Sequence, residues 1–208
     1  MRKKTIALTA LAIAGTLTLA GCGGSTASHS GMSGMESTST PTSTRSTAAM
    51  SDFNDADVTF ATGMIPHHRQ AVEMAKLADT RAKSPQVKAL AMQIMNAQDP
   101  EIRTMSNWLT TWGKPVPSDH SSMSGMDMSS SGSMPGMMSG ADMDKLKKAT
   151  GADFDQMFLT MMIAHHQGAI EMANTEKSSG MNADAIALAQ QIEEAQTTEI
   201  TTMQGLLK

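Results

Sequence analysis

The chain predicts an all-α fold, a four-helix bundle built from a duplicated helical hairpin. Three observations carry this expectation. First, shifting the sequence by 98 residues superimposes 57–109 on 155–207 without a gap, with 23 identities in 53 positions. Second, each repeat is dominated by Ala, Leu, Met, Gln and Glu, with apolar residues recurring at three and four, the helical period. Third, each repeat is broken once by turn residues, so each reads as two helices. A hairpin that cannot bury its apolar stripe alone does so against its own copy.

The 208 residues are 40% hydrophobic, enough for one domain with appendages. Aromatics are 3% of the chain, Tyr is absent, and the net charge is −4. Base stacking and attraction to a phosphate backbone both lack a source, which argues against nucleic acid as a partner. The single Cys rules out an intrachain disulfide and any zinc or iron–sulfur site built from cysteines. Met is the anomaly, with 22 copies.

The elements follow in order. Arg2, Lys3 and Lys4 precede an apolar run from Thr5 to Ala20 that ends Leu19-Ala20-Gly21-Cys22. The run is short for a membrane span and suits a signal-peptide core. Its ending resembles a bacterial lipobox, so 1–21 is expected to be a lipoprotein signal peptide, with Cys22 acylated as the first mature residue. The acyl anchor would hold the domain on the outer face of the cytoplasmic membrane, in the periplasm or at the cell surface. Residues 22–50 have the Ser, Thr and Gly content of a flexible tether. The domain itself is expected to span 51–208.

Helices are expected near 53–79, 85–112, 152–176 and 183–206. Ser84-Pro85 supplies an N-cap followed by proline at the first helical position. Lys177-Ser-Ser-Gly-Met-Asn182 is the matching turn of the second repeat. Pro66 and Pro100 fall inside helical patterns and should kink them. Their counterparts Ala164 and Thr198 imply that the helices continue past them. Residues 117–143 read as a Met-rich flexible insertion, since Ser and Gly cannot bury enough apolar surface to fold alone.

The first helix carries a core-facing seam at Asp57, Phe60, Met64, His67, Ala71 and Met74, copied as Asp155, Phe158, Met162, His165, Ala169 and Met172. The second helix contributes Ile94, Gln98, Glu101, Met105, Trp108 and Trp112, copied as Ile192, Gln196, Glu199, Met203 and Leu206. Such a core is not wholly apolar, and its polar members need partners. One solution is internal, imidazole against carboxylate. The other is a metal. Met64 lies one turn before His67 and His68, and the arrangement recurs as Met162, His165 and His166. Imidazole with thioether suits copper, above all Cu(I). Glu73, on the opposite side of the helix from Met64, reads as solvent-facing or packed on a neighbour rather than as a ligand. Clustered thioethers also occur in the insertion, at Met123, Met126, Met128, Met134, Met137 and Met138, with His120 nearby. With Ser and Gly around them these are expected to lie outside any core and to form a second, flexible Met site. Exposed Met also fits oxidant scavenging.

The paired Met-Ile-x-His-His and Glu-Met-Ala motifs, each followed by Gln-x-x-Glu-Ile-x-x-Met, resemble domain-of-unknown-function family three hundred and five, which includes CopM-like copper-binding proteins. The resemblance covers about 52–208. It implies a ferritin-like bundle, export, and copper binding through Met and His. Carried onto this chain, the implied ligands are Met64, His67, His68, Met74, Met162, His165, His166 and Met172. Gln98, Glu101, Met105, Gln196, Glu199 and Met203 are expected to support them from the facing helices. The long Met-rich insertion departs from the family pattern.

The function expected is that of a copper-binding lipoprotein that sequesters copper or passes it to a copper-handling partner. Thioethers and imidazoles take up Cu(I) without thiols, which an oxidising compartment would lose to disulfides. No recognised catalytic motif is present: no Glu has His three residues later, and there is no His-Glu-x-x-His. The alternatives are a ferritin-like metalloprotein with an iron, zinc or manganese site built from His67, His165, Glu101 and Glu199, or a non-metal envelope interaction module.

Overall fold

The computed structural model describes residues 52–118 and 134–208. Four long helices account for most of them: α1 (Asp55–Arg81), α2 (Pro85–Thr111), α4 (Gly151–Ser179) and α5 (Ala183–Leu206), with a short α3 (Gly140–Lys148) between the repeats. The expected signal peptide and tether, with Cys22, and residues 119–133 lie outside the described residues, and with them His120, Met123, Met126 and Met128. No helix among the described residues is long and apolar enough to cross a membrane.

Capping chemistry sets the helix starts. Asn54 accepts from the amides of Ala56 (2.8 Å) and Asp57 (3.1 Å), while Asp57 accepts from the Asn54 amide at 2.6 Å, a reciprocal capping box. Ser84 caps α2 through Val87 N–H, and Asn182 caps α5 through Ala185 N–H. Pro66 and Pro100 sit inside α1 and α2, which run through both. Each proline forfeits one backbone hydrogen bond without ending a helix that packing holds on either side.

α1 packs on α2 and α4 on α5 as hairpins, and the two hairpins meet chiefly through α1 and α4. Two equivalent aspartates near the helix starts lock the repeats together reciprocally. Asp57 accepts from Met181 N–H (3.1 Å) and Asn182 N–H (2.9 Å) in the α4–α5 turn. Its repeat mate Asp155 accepts from Lys83 N–H (3.0 Å) and Ser84 N–H (2.8 Å) in the α1–α2 turn. The buried apolar side chains form two clusters, one holding Phe154, Phe158, Ile94 and Met162, the other Phe60, Met64, Met105 and Ile192.

One expectation for the insertion is corrected. Residues 134–148 do not run free of the core. Ser139 caps α3, and Met143 and Leu146, three apart on one helical face, are buried in the first cluster with Met138 packed against it. A stripe of three apolar residues is short, but it stabilises the segment because the bundle supplies the other surface. Glu73 is exposed and pairs with Lys147 of α3 at 2.9 Å, in keeping with its expected outward position.

Candidate metal centre

Four histidines are buried at the middle of α1 and α4: His67, His68, His165 and His166 are each no more than 1% exposed. Neighbours in a helix point about 100° apart, so the two members of each pair face different elements. His67 and His165, equivalent in the two repeats, face each other with ring centroids 3.7 Å apart and planes inclined by 41°. His68 faces its own hairpin partner and pairs with Glu101 of α2 (Nε2 to Oε2, 2.7 Å). His166 pairs with Glu199 of α5 at the same 2.7 Å.

These contacts settle where the protons sit. A carboxylate only accepts, so His68 and His166 each carry hydrogen on Nε2. His67 Nε2–H donates to the Pro135 carbonyl at 3.1 Å. The Nδ1 atoms of His67, His68 and His166 are buried without a hydrogen-bond partner, as are both ring nitrogens of His165. A neutral imidazole always bears one N–H, so His165 holds a buried donor with nothing to donate to. Such a group costs about 1–3 kcal/mol. Fixing one ring nitrogen on a carboxylate or carbonyl and leaving the other lone pair open is the arrangement of a metal-binding histidine.

Burial pushes the His67 pKa down to about 3, and repulsion from His68 adds to it, while the Pro135 hydrogen bond opposes it. His165 is driven well below the ordinary imidazole range, first by burial and then by His67, His166 and His68. The His67 carbonyl lies near enough to oppose that shift, but not in hydrogen-bonding geometry. Both rings are therefore neutral at physiological pH and need lose no proton before offering a lone pair.

Buried thioethers line the same helices, with Met64 and Met162 each one turn before the paired histidines. Met64, Met74, Met105, Met162 and Met203 are fully buried, and Met172 is half-buried. One turn before His67, Gly63 has no side chain, and a Cβ placed there would lie 2.9 Å from the Met172 methyl and 3.7 Å from the Met134 sulfur. Gln98 and Gln196 are buried in equivalent places on α2 and α5, each with an unpartnered side-chain carbonyl.

The expected site residues thus divide. His67 and His165 come together. His68 and His166 are each taken up by a glutamate within their own hairpin. Glu101 and Glu199 therefore do not join His67 and His165, and the iron, zinc or manganese site imagined from those four is not assembled. Among the described residues no three His, Cys, Asp or Glu side chains gather in a way that would hold one ion. With no carboxylate gathered on the histidine pair, the thioethers of Met64 and Met162, one helical turn away, are the soft donors that the two helices offer beside it.

Met134, Met137 and Met138 belong to a short strap seated on the bundle rather than to a free chain. Gln70 holds it with two hydrogen bonds, donating to the Met138 carbonyl (3.0 Å) and accepting from the Met138 amide (2.7 Å). Gly136, at φ +75°, turns the strap against the Ala164 and His165 carbonyls, and the Pro135 carbonyl passes over Gly168. Gln70, Pro135, Gly136 and Gly168 were not singled out from the sequence. A signal existed, since position 70 and its repeat mate 168 are Gln and Gly, one of four differences in a twelve-residue motif whose other eight positions match.

A family model described as Domain of unknown function (DUF305) matches residues 57–207. A DUF305 protein of Streptomyces coelicolor, described as secreted, is 34% identical, with a TM-score of 0.64 over 73% of this chain and 91% of that one. CopM in its Cu(II)-bound form is 34% identical, with a TM-score of 0.61 over 73% of this chain and 95% of that one. CopM in its Cu(I)-bound form is 31% identical, with a TM-score of 0.59 over 72% and 94%. The uncharacterized protein L153 of Acanthamoeba polyphaga mimivirus is 42% identical over 53 residues, and the match spans about a third of that protein's length (35%).

Proposed function

The chain belongs to the DUF305 family, and from that premise we propose that it is an exported, lipid-anchored copper-binding protein that sequesters copper or hands it to another copper-handling protein. One observation carries the reading: His67 and His165 face each other in the core with ring centroids 3.7 Å apart and unpartnered Nδ1 atoms, on helices that place buried Met64 and Met162 one turn before them. Such a donor set suits Cu(I) and disfavours the harder divalent ions. The copper-bound CopM structures, alike in fold and about a third identical, support the same metal. Copper is cargo here, and the protein is not an enzyme. Acylation of Cys22 would tie it to the membrane, and the acidic net charge offers nothing to nucleic acid.

The test is a Cu(I) competition titration of the purified protein against a chromophoric chelator, repeated with His67→Ala combined with His165→Ala. Copper held by the wild type and released by the double variant supports the proposal. Unchanged stoichiometry and affinity in the double variant would remove the bundle site. Wild-type binding of zinc or iron in preference to Cu(I) would overturn the choice of metal.

A further inference from the structure

The duplication is symmetric almost everywhere the histidines are concerned, except under the strap. His68 and His166 have matching glutamates. His67 has the Pro135 carbonyl, whereas neither ring nitrogen of its mate His165 makes a hydrogen bond of acceptable geometry. The strap is what breaks the symmetry, and the helix positions beneath it have diverged to suit. Gln70 clamps the strap backbone, while its mate is Gly168, where an added Cβ would stand 2.0 Å from the Pro135 oxygen. Gly63 opens room for Met134 and Met172, while its mate is Met161. Gly63, His67 and Gln70 follow at four and three along α1, so the strap lies along one stripe of that helix.

We propose that Met134 is a ligand of the copper site, brought from the strap to the thioether of Met172 and the His67–His165 pair, so that the strap is a wall of the site rather than a separate metal sponge. This deepens the copper reading and rests on it. The chemistry is consistent at each point. Among the described residues no third imidazole or carboxylate gathers with the histidine pair, which leaves thioethers as the soft donors within reach of it. Met134 is a strap thioether whose sulfur lies over α1 beside Met172. The Pro135 carbonyl, one residue on, holds the His67 proton on Nε2 and so keeps the Nδ1 lone pair available. A single five-residue segment thereby supplies a ligand and orients another.

The experiment uses the full chain with methyl-labelled methionine, titrated with Ag(I) as a redox-inert mimic of Cu(I), alongside Cu(I) competition. Met134 and Met172 methyl resonances should move on saturation, while those of exposed Met92 and Met181 stay in place. Met134→Leu keeps the apolar bulk and should lose at least about tenfold in Cu(I) affinity, with Met92→Leu, at an exposed position of α2, unchanged. Gly168→Ala removes no ligand but displaces the strap. It should lose hydrogen-exchange protection at the Met138 amide and match the Met134→Leu affinity. Gln70→Ala unclamps the strap without a clash and should do the same if Gly168→Ala does not fold. A Met134 methyl unmoved at saturation, or Met134→Leu binding within twofold of wild type, overturns the inference and leaves the copper reading standing. A wild type that binds neither ion overturns both.

Discussion

Gln70 and Gly168 occupy the same position in the two repeats and meet the same strap from opposite sides, one by hydrogen bonding to its backbone and the other by leaving room for it. Duplication supplied two equivalent faces, and these two residues turned one pair of them into an asymmetric site. The consequences are testable at several positions.

His165 carries the unpartnered N–H, so its ring is held at a cost to the fold. His165→Phe keeps a planar ring of similar size and removes that donor. Chemical denaturation should show the apo protein stabilised by about 1–3 kcal/mol, while copper affinity at the bundle is lost. A purely structural histidine would behave in the opposite way, with stability falling on substitution.

Glu101 and Glu199 should prove equivalent. Replacing either with Ala leaves a buried imidazole N–H without its carboxylate, at about 1–3 kcal/mol each in urea unfolding. The two pairs lie in different hairpins and share no partner, so the double variant should be close to additive. A strongly non-additive result would mean that the two hairpins exchange partners.

Glu176 is buried beside Asp57, and burial, then the neighbouring Asp57 carboxylate, raise its pKa to about 8. Asp57 moves the other way: burial alone would raise it, but the amides of Asn54, Asn182 and Met181 and the Glu176 proton together pull it below the usual value. The folded state therefore holds a proton on Glu176 that the unfolded chain has lost. Between pH 4.5 and 8 the native form binds more protons, so this pair's contribution to stability falls as pH rises through that window. Glu176→Gln keeps a neutral donor toward Asp57. Its stability relative to wild type, followed by thermal melts at stepped pH, should improve steadily from pH 4.5 to 8 and level off above. A difference that does not change with pH would show that Glu176 is ionised in the fold.

A ligand that binds only the native state raises its stability by mass action, about 2.7 kcal/mol at a free concentration one hundred times Kd. Ag(I) should therefore raise the melting temperature of the wild type and leave that of the combined His67→Ala, His165→Ala variant where it was. Zn(II) should shift neither.

Much of this was legible beforehand. Helix α1 was placed at 53–79 and runs Asp55–Arg81, and α5 was placed at 183–206 and runs Ala183–Leu206, because period and caps are local properties of the chain. Met64, His67 and His165 were placed on the core face for the same reason. The pairing of His68 with Glu101 was not legible, since a helical wheel puts neighbouring histidines on adjoining faces without saying what lies opposite each. Met143 and Leu146 are hidden among the Asp and Lys of 142–148, because so short a stripe becomes a helix only when another surface buries it. The Pro135 carbonyl left no trace, since every residue has one.

The sequence by itself determined the helices, the duplication and the buried seam of His and Met, all of which follow from spacing along one chain. Only the tertiary structure decided that His67 meets His165, that the glutamates serve the other two histidines, and that the strap closes over the pair. Those choices depend on how two hairpins cross and on which backbone groups the crossing leaves in reach, and no spacing within a single helix encodes either.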